Sequence, residues 1–174
     1  MGSSIVYLMA LATAALDAGI LVFLVALMFR SSRARARTLV DRYGLLALFL
    51  FSAASLAGTL VLQYVVNLQP CALCWWQRIC MYPIPLISLI AILKNQKLSV
   101  IADSILAFSA FGFLVALYQH LLQMLPAGSL IPCDAANECA VRTVFEFGFV
   151  TLPWMAVSAF ALLFLVALMG RRNK

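Results

Sequence analysis

The sequence predicts an all-α protein that crosses a membrane five times. Three observations carry that reading. The 174 residues are 66% hydrophobic and only 10% charged, against about 45–50% apolar and about 25% charged in soluble domains. Five apolar runs are long enough to span a bilayer. The basic residues between those runs gather at alternate junctions.

The runs are Ile5–Phe29, Gly44–Val66, Trp75–Leu93, Ile101–Leu125 and Phe149–Met169. Each is near or above the roughly 20 residues that cross a ~30 Å hydrocarbon core at ~1.5 Å per residue. The first lacks a basic segment before it, and its charges follow the apolar stretch. It is also too long for the roughly 7–15 apolar residues of a signal peptide, so it reads as a retained span. Asp17 sits at its middle. An intramembrane acid is a functional candidate by default; the reading favoured here is a hydrogen-bonded carboxyl that docks the helix on its neighbours. The third run is the shortest and contains Pro83 and Pro85, which remove two backbone donors and predict a bend.

The formal charge of +6 does not point to nucleic acid, because the cations form no patch beside aromatics. Arg30, Arg33, Arg35, Arg37 and Arg42 follow the first run, Lys94 and Lys97 follow the third, and Arg171, Arg172 and Lys174 follow the fifth. These ten of the twelve basic residues fall on one side, the cytoplasmic side by the positive-inside rule. The C-terminus is then cytoplasmic, and the segments 67–74 and 126–148 face outward.

That topology puts four of the five cysteines at or beyond the outer surface. Cys71 and Cys74 form a Cys-Ala-Leu-Cys motif at the mouth of the third span, and Cys133 and Cys139 lie in the loop before the fifth. The outside of a bacterial membrane permits disulfides, so two outward pairs suggest two disulfides able to exchange electrons. Cys-x-x-Cys spacing suits reversible redox, and a thiolate at a helix N-terminus is favoured by the helix dipole. A structural disulfide and half of a four-thiolate zinc site are the competing readings. Arg78 stands four residues after Cys74, about 400° of rotation, and so shares its helical face. It could stabilise a thiolate, polarise a carbonyl oxygen on an electron acceptor, or snorkel to headgroups. Cys80, six residues past Cys74, faces elsewhere and reads as a small buried hydrophobe.

At this point the residues resemble the DsbB family, including its BdbC-type members. The stretch Pro70-Cys71-Ala72-Leu73-Cys74-Trp75-Trp76-Gln77-Arg78-Ile79-Cys80-Met81-Tyr82-Pro83 is similar to that family's Cys-x-x-Cys helix. Tyr118-Gln119-His120-Leu121-Leu122-Gln123 resembles its His-containing fourth-span end, and Cys139-Ala140-Val141-Arg142 with Phe147 to Trp154 resembles the lead into its last span. In vitamin K epoxide reductase-like proteins the loop pair precedes the Cys-x-x-Cys; here it follows. Only five residues separate Cys133 from Cys139, as in the BdbC-type pattern.

The resemblance implies a four-helix DsbB-like bundle over residues 44–174. Residues 1–43 would be an extra N-terminal transmembrane helix and a basic cytoplasmic loop. It implies a quinone-dependent thiol oxidase of the bacterial inner membrane. A thioredoxin-fold partner of the DsbA or BdbD type would attack the Cys133–Cys139 disulfide at Cys133. Cys139 would be reoxidised by Cys71, and Cys74 would face ubiquinone or menaquinone with Arg78 assisting. His120 is a candidate quinone contact, against the simpler reading of a satisfied bundle histidine. Arg142 would dock the partner or contact headgroups. No resident metal is expected.

Overall fold

The computed structural model describes residues 2–125, 139 and 141–171. Among them six helices run in chain order: α1 (Gly2–Ala26), α2 (Arg30–Tyr64), α3 (Ala72–Met81), α4 (Pro83–Leu93), α5 (Leu98–Met124) and α6 (Leu152–Arg171). The pair α3–α4 makes a single span, so the described residues supply five helical segments long and apolar enough to cross a bilayer. The chain is an all-α, multi-pass membrane protein. The division between α3 and α4 falls at Tyr82, just before Pro83. Tyr82 keeps helical angles and donates to the Arg78 carbonyl at 2.9 Å, so the span continues through it as a helix.

Several boundaries differ from expectation. The predicted basic loop over 30–43 is helical and continuous with the second span. Its Arg, Ala and Leu residues are good helix formers, and no Gly or Pro interrupts it before Gly44. The turn into it is short because Arg33 reaches back across it. Its Nε and Nη2 donate to the Leu27 carbonyl at 3.0 and 2.8 Å, capping the end of α1. The last helix starts at Leu152, later than the expected Phe149. Phe147 and Gly148 take positive φ of 53° and 78°, forming a turn closed by the Glu146–Val150 bridge. Thr151 then caps α6, its hydroxyl accepting from the Trp154 N–H at 3.3 Å.

In lipid, apolar contact between helices gains little from water exclusion, so close packing must hold the bundle. The α5–α6 seam shows how. A Cβ added to Gly112 would lie 2.4 Å from the Phe160 ring, and one on Gly170 would lie 2.3 Å from Leu98 Cδ2. Small residues there admit large ones from the facing helix. The core includes Leu48 of α2, Cys80 and Met81 of α3, Ile84 of α4, Ile105 of α5 and Phe160 of α6. No α1 residue belongs to it. The reading of Cys80 as a buried hydrophobe agrees with this placement. At one end of the bundle α3 lies against α5, and a cavity there is lined by residues of α1, α2, α3, α5 and α6.

Candidate functional site

The site is built at the start of α3. Cys71 is the N-cap residue, with extended backbone angles, and the helix begins at Ala72. The start is earlier than the expected Trp75, and it places Cys74 in the first turn.

Cys71 is disulfide-bonded to Cys139, with the Cα atoms 5.5 Å apart. The Cys74 sulfur is free and lies 3.5 Å from the Cys71 sulfur. The sequence suggested a Cys71–Cys74 pair and a Cys133–Cys139 pair; the structure instead links one member of each. Cys133 lies outside the described residues. A four-thiolate metal set does not describe this arrangement, since two of its members are bonded to each other. Chemically, three sulfurs in contact form an exchange centre. A Cys74 thiolate attacking the Cys71 sulfur would close Cys71–Cys74 and release Cys139 as a thiolate.

Two elements bring Cys139 to this point. Gln123, near the end of α5, donates through Nε2 to the carbonyls of Cys139 and Val141, both at 3.2 Å. Arg142 donates through Nε to the Gln123 carbonyl, one of the acceptors left open at the end of a helix. It also lies over the Phe145 ring. These contacts pin the return segment to α5, on a residue that stays exposed.

Gln119 is the side chain that touches both sulfurs of the Cys-x-x-Cys motif. Its Nε2 lies 3.3 Å from Cys71 Sγ and 3.5 Å from Cys74 Sγ. Its Oε1 accepts from Gln77 Nε2 at 2.7 Å. Sequence reasoning chose His120 from the same motif. His120 does not line the cavity. Its Nδ1 is 2.9 Å from the Thr151 hydroxyl and its ring packs against Trp154 at 4.8 Å. The simpler reading, a satisfied bundle histidine, fits that position. A signal for Gln119 was available: Gly112, Ala116, Gln119 and Gln123 recur at helical spacing and define one face of α5.

Arg78 shares the cavity wall with Cys74, as their spacing predicts. It is buried, at 8% exposure. Its guanidinium donates to Gln63 Oε1 and, at 3.3 Å, to the Thr59 carbonyl, both on α2. The ring of Trp75 lies 5.3 Å away, a cation–π contact. A guanidinium has five N–H donors, so these contacts leave it further hydrogen-bonding capacity toward the cavity.

The cavity has a volume of about 670 Å3 and is mostly apolar. Polar groups gather at its cysteine end: Cys74, Gln77, Arg78, Gln119 and Gln123. Gln123 Oε1 is buried and has no hydrogen-bond partner among the described residues. A thiol–disulfide centre thus borders an apolar chamber with a cation and an orphan acceptor at one end.

The comparisons with known proteins agree with this geometry. The family model described as "Disulfide bond formation protein DsbB" matches residues 41–170. The chain belongs to the DsbB family. Within it, the chain is similar to the SPbeta prophage-derived disulfide bond formation protein B of Bacillus subtilis, at 36% identity over 71% of this chain and 82% of that protein. A probable disulfide formation protein C of Halalkalibacterium halodurans is 35% identical over 75% of this chain and 94% of the relative. Disulfide bond formation protein C of Bacillus subtilis is 31% identical over 75% and 95%. No solved structure matches the chain. The DsbB match begins in the second half of α2's basic stretch and leaves α1 outside it.

Proposed function

We propose that the chain is a membrane thiol:quinone oxidoreductase that reoxidises an extracytoplasmic thioredoxin-fold thiol oxidase of the DsbA type. The observation that carries this reading is the Cys71–Cys139 disulfide with a free Cys74 sulfur 3.5 Å from Cys71, at the mouth of an apolar cavity. The cysteine end of the bundle faces outward from a bacterial inner membrane, because the basic residues gather at the other end.

The relay balances bond by bond. A partner thiolate attacks Cys133, breaks Cys133–Cys139 and releases the Cys139 thiolate. Cys139 attacks Cys71, breaks Cys71–Cys74 and releases the Cys74 thiolate, which gives the observed linkage. The partner's second thiolate closes its own disulfide and frees Cys133. Cys133 then attacks Cys139, re-forming Cys133–Cys139 and leaving Cys71 and Cys74 as a dithiol. Each transfer keeps one disulfide for each pair of electrons moved.

The residues present suit a quinone. The walls are apolar, Arg78 offers a cation toward a carbonyl oxygen, and Gln123 Oε1 offers an acceptor toward a hydroxyl. When bound, a quinone such as ubiquinone or menaquinone would supply a two-electron, two-proton acceptor for the dithiol. Arg78 would hold and polarise an oxygen, Gln119 would orient both sulfurs, and the apolar walls would exclude water. Purified protein with added quinone should oxidise a reduced DsbA-like protein over many turnovers. Failure to turn over such a partner with any membrane quinone would end this reading.

A further inference from the structure

The helix outside the DsbB match is part of the cavity wall. Met9, Thr13 and Leu16 of α1 line it, spaced at i, i+4 and i+7 on one helical face. They face Phe51 and Ser55 of α2 across the chamber, with Ala156 and Phe160 of α6 completing that part of the wall. At the end away from the cysteines α2 and α6 approach each other, since a Cβ on Gly44 would lie 3.8 Å from Val166. Helix α1 packs against both α2 and α6 and lines the cavity with them.

Two contacts hold α1 there. Trp154 of α6 donates through Nε1 to Asp17 at 2.9 Å. Gly58 of α2 leaves room for Met9, whose Cε would lie 3.1 Å from an added Cβ. The intramembrane acid is therefore a docking group, as the sequence reading favoured.

The cavity is divided lengthwise. Its cation and amide side chains lie at the cysteine end, while the Thr13 and Ser55 hydroxyls donate back to the Met9 and Phe51 carbonyls of their own helices. Its wall on α2 runs from Leu62 to Phe51, roughly 16 Å at ~1.5 Å per residue. Gly2 lies beside Val66 and Met9 beside Gly58, so α1 runs antiparallel to α2 with Met9 level with Thr59 and Leu16 level with Phe51, at the end away from Arg78. That shape fits a ligand with a polar ring at one end and an apolar chain at the other.

We propose that α1 is the wall that holds the apolar tail of the quinone, so that it selects for tailed quinones without entering the thiol chemistry. The inference rests on the reading of the cavity as a quinone site. It assigns Met9, Thr13 and Leu16 to specificity and Asp17 to positioning the helix that carries them.

The test is direct binding, read without turnover. Full-length protein in micelles is equilibrated with two quinones sharing one ring, one bearing a decyl chain and one bearing a methyl group, and the retained quinone is quantified. Leu16→Trp narrows the tail region and Asp17→Leu loosens α1 on Trp154. Both should weaken decyl-quinone binding by about fivefold or more, through lost packing rather than lost water exclusion, and leave the methyl-quinone unchanged. Leu8→Trp, on the exposed face of α1, should change neither. Equal weakening of both quinones, or no change in either, would overturn the role of α1 while leaving the quinone site standing. If the unaltered protein retained neither quinone, the reading of the cavity itself would fail, and this inference with it.

Discussion

The two flanks of the cavity are held by different kinds of contact. On the α3 side, directional bonds fix nearly every polar group: Gln77 to Gln119, Gln119 to two sulfurs, Arg78 to α2. On the α1 side, among the described residues, the polar bond to a neighbouring helix is the one from Trp154 to Asp17, on a mostly apolar helix. Sulfur exchange needs atoms at fixed distances, and hydrogen bonds provide that. Holding a flexible chain needs only a fitted apolar surface. The difference predicts that changes on the first flank alter chemistry, while changes on the second alter affinity and helix docking.

The largest effect belongs to the first flank. Cys74→Ser removes the free sulfur and should abolish quinone reduction, with the helical content by circular dichroism unchanged. Retained quinone reduction in that variant would break the assignment of Cys74. Next comes the seam that supports both flanks. Gly112→Val drives a side chain into the Phe160 ring, and overpacking of this kind costs about 1–3 kcal/mol. Thermal unfolding in detergent should report it, with turnover lost at lower temperature.

Gln119→Leu should act more mildly. It strips the contact from both sulfurs and leaves Gln77 Nε2 without its acceptor, at about 1–3 kcal/mol for an unsatisfied buried group. Turnover should fall but persist, while His120→Ala should disturb stability more than the thiol exchange rate. The reverse ranking, measured by stopped-flow thiol exchange, would restore His120 to the site. The smallest effect lies on the second flank. A double-mutant cycle of Asp17→Leu with Trp154→Phe should give a coupling of about 0.6–1.7 kcal/mol, the range of interhelical hydrogen bonds in membranes.

The spans were legible because hydropathy and length depend on composition alone. The division between α3 and α4 was legible because Pro83 has no N–H to give. The shared wall of Cys74 and Arg78 followed from a four-residue spacing within one helix. What escaped the sequence was phase and partnership. Gln119, His120 and Gln123 are all buried, and the spacing that groups Gln119 with Gln123 separates them from His120 without saying which face of α5 meets the sulfurs. The helical start of α2 was hidden because arginines favour helix as readily as they mark a membrane boundary. Cysteine pairing was hidden because spacing does not determine connectivity; the Cys71–Cys139 link depends on Gln123 and Arg142 pinning a segment that is distant in sequence.

That link is where the proposed relay can be tested most directly. Cys133→Ser leaves Cys139 without its local partner and blocks release of the Cys71–Cys139 bond by Cys133. Peptide mapping under non-reducing conditions, after rapid alkylation, should find Cys71 joined to Cys139 and Cys74 alkylated. Cys71 still joined to Cys74, with Cys139 alkylated, would contradict the relay.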